Sequence, residues 1–96
     1  MAKYRLSRQA KEDLIRIHNY GVLRFGASQA DKNFDAIFEQ FETIAERPYS
    51  FEAVDDIQQG YRRCVCGVDS IFFRVHNQVV EIMTIVGRQD IHQLFK

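Results

Sequence analysis

The apolar positions of this chain change period twice, and those changes mark out its elements. Tyr4-Arg5-Leu6 alternates and predicts a short first strand. Ser7 follows as a helix N-cap, its hydroxyl able to accept from an orphan amide. Ala10, Leu14, Ile17 and Gly21 then recur at helical spacing, with Ile15 and Val22 widening the stripe. That pattern predicts an amphipathic helix running to about Phe25, with Gly26 as its left-handed stop.

A second helix is marked more sharply. Ser28 and Asp31 read as its start, with the carboxylate in the first turn where the helix dipole favours it. Ala30, Phe34, Ile37, Phe41 and Ile44 form one stripe, flanked by Phe38 and Ala45, and Pro48 ends the run. So little chain separates the two helices that they must fold back as an antiparallel hairpin. Residues 47–60, with Pro48, Asp55, Asp56 and Gly60, read as an irregular crossing.

Three strands follow, with period two replacing the helical spacing. Tyr61 to Cys66 is the first, with Gly67 in the turn, and Ser70 to His76 is the second. Asn77-Gln78 makes a tight hairpin turn into Val79 to Val86, which is apolar at nearly every position. A strand of that kind is covered on both faces, which places it centrally. Gly87 breaks it, and Ile91, Leu94 and Phe95 suggest a short C-terminal helical turn. The predicted order is β-α-α-β-β-β, an α+β fold with a helical hairpin on one face of a small, mainly antiparallel four-stranded sheet. Leu14, Ile17, Phe34, Ile37, Phe41, Ile44, Ile71, Phe73, Val80 and Ile82 are its expected core.

Length and composition agree with this picture. Ninety-six residues make one domain, here 1–96, and the 46% apolar and 12% aromatic content rules against disorder. Thirteen basic residues balance thirteen acidic ones. A protein that neutralises many phosphates normally carries a basic excess, so direct sequence-specific nucleic-acid binding is not expected. The charges are nevertheless uneven. Lys3, Arg5, Arg8, Lys11 and Arg16 crowd the start, whereas Asp31, Asp35, Glu39, Glu42 and Glu46 crowd the second helix. Helix–helix complementarity is the simplest meaning of that split.

Candidate chemistry is sparse. No signal-peptide-like or membrane-length apolar run is present, and the chain reads as cytoplasmic. Cys64 and Cys66 point to one face of a strand with Cα atoms roughly 6.5–7 Å apart, at or beyond the limit for a disulfide. No spacing supplies the further ligands a metal would need, so free thiols, and no metal or cofactor, are expected. His18 reads as a mid-helix residue at the surface or its boundary with the core, and His76 as a polar residue before a turn.

Taken together, the order and several local motifs resemble the ParE branch of the RelE/ParE toxin superfamily over nearly the whole chain. The run Tyr4 to Leu14 looks like a ParE start, Phe25-Gly26 followed by Ala30 like its helix-to-helix turn, and Ala45-Glu46-Arg47-Pro48 like its second-helix ending. Gly60-Tyr61-Arg62-Arg63, then Ile71-Phe72-Phe73-Arg74, resembles the ParE strand pair, and Gly87-Arg88-Gln89-Asp90 its short basic-plus-Asp segment. The resemblance implies a toxin of a type II toxin–antitoxin system, one that inhibits DNA gyrase by binding and is neutralised by a ParD-like antitoxin. RelE relatives instead cleave messenger RNA on the ribosome, and a family member that only binds its antitoxin is a third alternative.

Cleavage would need a base, an acid and phosphate-binding cations. By that resemblance Phe95 stands where the nuclease branch tends to carry Tyr, Gln89 stands in place of an Arg, and His92 alone among the histidines falls near the usual site. An inhibitor that binds rather than reacts, with no catalytic residue, is therefore the expectation. Arg62, Arg63, Arg74 and Arg88 are its candidate target-binding residues, because arginines pair well with acidic or phosphate groups. Ile15, Val22 and Leu23, outside the main stripes, are the candidate antitoxin-binding residues, although core filling is equally natural for Ile15.

Overall fold

A computed structural model describes residues 3–87. Its elements are β1 (Tyr4–Leu6), α1 (Arg8–Phe25), α2 (Ala27–Glu46), a single 3-10 turn (Pro48–Ser50), β2 (Glu52–Ala53), β3 (Arg62–Cys66), β4 (Asp69–His76) and β5 (Val79–Gly87). The sheet has five strands in the order β1-β5-β4-β3-β2. The expected four strands are all present, and the fifth is the two-residue β2, which pairs antiparallel with Arg62 and Arg63 inside the supposedly irregular crossing. Only β1 and β5 run parallel.

The helices cover one face. Ala10 and Leu14 of α1, with Ile37, Phe41 and Ile44 of α2, pack on Cys64, Ile71, Phe73, Val80, Ile82 and Ile85. Ile17 and Phe34 belong to this core but are only partly buried. A smaller cluster on the opposite face joins Phe72 and Val86 to Val54, with Ile57 and Tyr61 packed against it. The connection after β2 thus shields the far side of the sheet. That second cover is why β4 buries Ile71, Phe72 and Phe73 in succession and why β5 is apolar at most positions.

Turn chemistry fixes the connections. Asn77 and Gln78 both have positive φ, 51° and 66°, the backbone that the tightest hairpins require. Between the helices there is one residue, Gly26, at φ 89° and ψ 161°, a region open essentially to glycine alone. Its N–H donates to the Val22 carbonyl and its own carbonyl accepts from Ala30. Gly26 therefore stops α1 and starts α2, and the Ser28 start is corrected: α2 begins at Ala27 with no side-chain cap. Asp31 consequently lies beyond the first turn and bonds His18 instead, Oδ1 to Nε2 at 2.8 Å. Close helix packing follows from Gly21, where a Cβ would come within 3.2 Å of the Ala30 Cβ.

Where β1 ends, α1 takes over the free edge of β5. Ser7 caps α1 by accepting from the Ala10 N–H at 3.0 Å, and its hydroxyl donates to the Met83 carbonyl at 2.7 Å. Asp13 is buried and accepts from the Ile85 N–H at 3.0 Å, while Arg16 donates to the Ile85 carbonyl at 3.1 Å. Side chains of a helix here satisfy main-chain groups that a longer β1 would otherwise have met.

Candidate functional site

The three described candidate arginines do not form one cluster. Side chains alternate along β3, so Arg62, paired with Phe73, lies on the helix-bearing side, and Arg63, paired with Phe72, on the other. Arg63 donates through Nε to Glu52 Oε1 at 2.7 Å, across the β2–β3 pair. Arg74 joins a row over three strands, in which Glu81 of β5 accepts from Arg74 Nε at 2.8 Å and from Arg5 Nη2 at 2.7 Å. The Glu81 side chain is 13% exposed. The bond from Arg74, and then that from Arg5, holds its carboxyl below the usual glutamate value against the opposing effect of partial burial. Arg88 lies outside the described residues.

Arg62 is held differently. Its Nη1 donates to the Phe51 carbonyl at 2.6 Å, and its guanidinium carbon sits 5.0 Å from the centre of the Tyr49 ring. The Phe51 ring meets Phe73 edge to face at 5.9 Å, which ties this segment to the core. Tyr49 itself is 70% exposed. Among the described residues no carboxylate pairs with Arg62. Sequence reasoning missed Tyr49, whose place beside Arg62 follows from the 3-10 turn that Pro48 opens.

The candidate antitoxin-binding residues all lie on the outside of α1. Ile15 is 62% and Leu23 86% exposed, and Val22 is also exposed, so Ile15 is not core. Tyr20 and Phe25 add further exposed apolar surface to the same helix. At the tip of the helical hairpin a cavity of about 570 Å³ opens between Tyr20, Arg24, Phe25, Phe34, Val68 and Gly87.

Groups able to carry proton transfer are few among the described residues. His18 is engaged with Asp31 and stands edge-on to Phe34 at 5.1 Å, so it links the two helices. His76 is exposed beside its turn, and His92, Gln89 and Phe95 lie outside the described residues. Burial, helped by neighbouring Cys66, pushes the Cys64 thiol up to about 11, and Cys66 is raised as well. Both are free thiols, and Cys64 donates to Gln40 Oε1 at 3.3 Å. Among the described residues no group of three or more His, Cys, Asp or Glu could hold a metal, and no helix is long and apolar enough to cross a membrane.

The family model of the ParE toxin of the type II toxin–antitoxin system parDE matches residues 4–92. This chain belongs to the ParE toxin family. Toxin ParE1 of Caulobacter vibrioides is 40% identical over 75 residues, covering 78% of each chain. The fold of this ParE-family chain is similar to one from the chromosomal ParDE TA system of P. aeruginosa, with a TM-score of 0.80, 24% identity and coverage of 91% and 96%. It is also similar to a chain from the toxin–antitoxin complex RelBE2 of Mycobacterium tuberculosis, with a TM-score of 0.70, 15% identity and coverage of 91% and 98%. At those identities the likeness concerns the fold alone.

Proposed function

We propose that this ParE-family toxin acts in the cytoplasm as an inhibitor that binds DNA gyrase and performs no chemistry of its own, and that a ParD-like antitoxin neutralises it. One observation carries the reading: the three described candidate arginines are each bonded to a carboxylate or a main-chain carbonyl, and none of them is bonded to a histidine or a thiol among the described residues. Such a set recognises a surface and does not cleave a bond. Arg62, Arg63, Arg74 and Arg88 are the proposed target-facing residues, and Ile15, Val22 and Leu23 the proposed seat of an amphipathic antitoxin segment. The exposure of those three apolar side chains on one helix supports the latter.

The test is supercoiling by purified gyrase with the full chain added, with and without the antitoxin encoded beside it. Inhibition relieved by the antitoxin is expected. Cleavage of messenger RNA on translating ribosomes, abolished in His92→Ala, would instead assign the chain to the ribonuclease chemistry of the RelE branch.

A further inference from the structure

Of the described candidate arginines, only Arg62 has no carboxylate partner among the described residues and has its plane fixed by an aromatic ring. Glu52 neutralises Arg63, and Glu81 is shared by Arg74 and Arg5. Arg62 has a carbonyl on one nitrogen and a ring against its face, neither of which carries a countercharge. Both contacts hold the guanidinium in one orientation, while the remaining N–H donors stay unengaged among the described residues. A long side chain normally loses rotamer freedom when it binds. Here the Phe51 carbonyl and the Tyr49 ring have already imposed that loss.

We propose that Tyr49 and Arg62 form a preorganised receptor for a carboxylate on the protein that this toxin inhibits. The proposal rests on the reading of the chain as a binding inhibitor and names the chemistry of its contact. Carboxylate geometry matches the guanidinium fork, and Tyr and Arg are among the side chains enriched at the energetic centres of protein interfaces. A nucleic-acid phosphate would meet the same fork, but phosphate tracks are bound by surfaces with a basic excess. This ledge has Glu46 and Glu52 exposed nearby in the chain, and the protein has no net positive charge. An acidic protein side chain, approaching singly, fits better than a polyanion.

The experiment measures inhibition of gyrase supercoiling by the full-length wild-type chain and by Arg62→Ala, Arg62→Gln, Arg62→Lys, Tyr49→Ala and Tyr49→Phe, with Lys32→Ala as a control for loss of one surface charge. Thermal melting confirms that each variant is folded. Arg62→Ala and Arg62→Gln should raise the half-inhibitory concentration about ten-fold or more, as expected for one charge-assisted contact. Should Arg62→Ala unfold, Arg62→Gln decides, since it keeps the aliphatic stem and a polar end while removing the charge and the fork. Arg62→Lys should recover little, because an ammonium cannot hold the carbonyl and a fork together. Tyr49→Ala should lose several-fold and Tyr49→Phe almost nothing, since the ring and not the hydroxyl meets the guanidinium.

Wild-type inhibition matched by folded Arg62→Gln and Tyr49→Ala overturns the proposal and leaves the gyrase reading standing. Absence of inhibition by the wild type overturns both. A labelled DNA duplex supplies the remaining arm. Binding by the wild type that weakens in Arg62→Gln would make phosphate the occupant and overturn the carboxylate assignment.

Discussion

Asp13, in the second turn of α1, accepts the main-chain N–H of Ile85 on β5 at 3.0 Å, inside the protein. The same oxygen accepts from the Thr84 hydroxyl at 2.7 Å, and the other from Gln9 at 3.0 Å. One buried carboxylate thereby closes the edge of a strand that β1 is too short to cover. Asp13→Ala would leave the Ile85 amide and the Thr84 hydroxyl without their acceptor, at a cost of about 3 kcal/mol. Asp13→Asn keeps the shape and one acceptor and should cost less. Urea unfolding of the three proteins checks this, and equal midpoints would refute it.

The approach of the helices gives a second expectation. A methyl at Gly21 would lie 3.2 Å from the Ala30 Cβ. Gly21→Ala gains about 1 kcal/mol of helix propensity and loses a similar amount to crowding, so its stability should stay close to the wild type. Gly21→Leu has no such offset and should cost about 2 kcal/mol by forcing the helices apart. Chemical denaturation of both variants is the measurement.

Acid should loosen the sheet through Glu81. Its carboxyl lies below the ordinary value of 4.5 because Arg74 and Arg5 bond the charged form. A carboxylate whose folded value is lowered contributes stability that is fully present above its unfolded value and is lost as pH falls through the folded one. The stability advantage of the wild type over Glu81→Gln should therefore be constant near neutrality and shrink as pH falls below about 4.5. Melting temperatures of both proteins between pH 3 and pH 7, in roughly unit steps, would show it.

Thiol reactivity offers a fourth check. With its thiol pushed up to about 11, Cys64 holds almost no thiolate near neutral pH. In the folded protein iodoacetamide should modify Cys64 far more slowly than an unfolded chain, and Cys66 should react ahead of it. Timed mass spectrometry after labelling reads both rates. Rapid modification of Cys64 would contradict the burial described for β3.

Much of this architecture was legible in the sequence because its signals repeat. The Phe34, Ile37, Phe41 and Ile44 stripe persists over most of α2, and Asn77-Gln78 separates two long apolar runs, so pattern sufficed for the core and the hairpin. β2 escaped because Glu52 and Ala53 are both exposed and two residues show no alternation. Ser28 looked like a cap because the residue type is right, whereas the turn depends on the backbone of Gly26. Asp13 looked like one more helical charge, since its burial is decided by a strand far along the chain. The arginines were nameable as candidates, but which of them keeps a free charge depends on Glu52, Glu81 and Tyr49, and those neighbours exist only once the sheet is assembled.

Gly26 has a bearing on how long such a chain lasts. Between Tyr4 and Glu46 only Ser7 and Gly26 lie outside strand or helix, and both are fixed by hydrogen bonds. Proteases cut at exposed, extendable connections, and this half of the molecule offers none. Cleavage there must wait for a helix to open, so the resistance of this half to proteolysis follows its folding equilibrium and not the exposure of a loop.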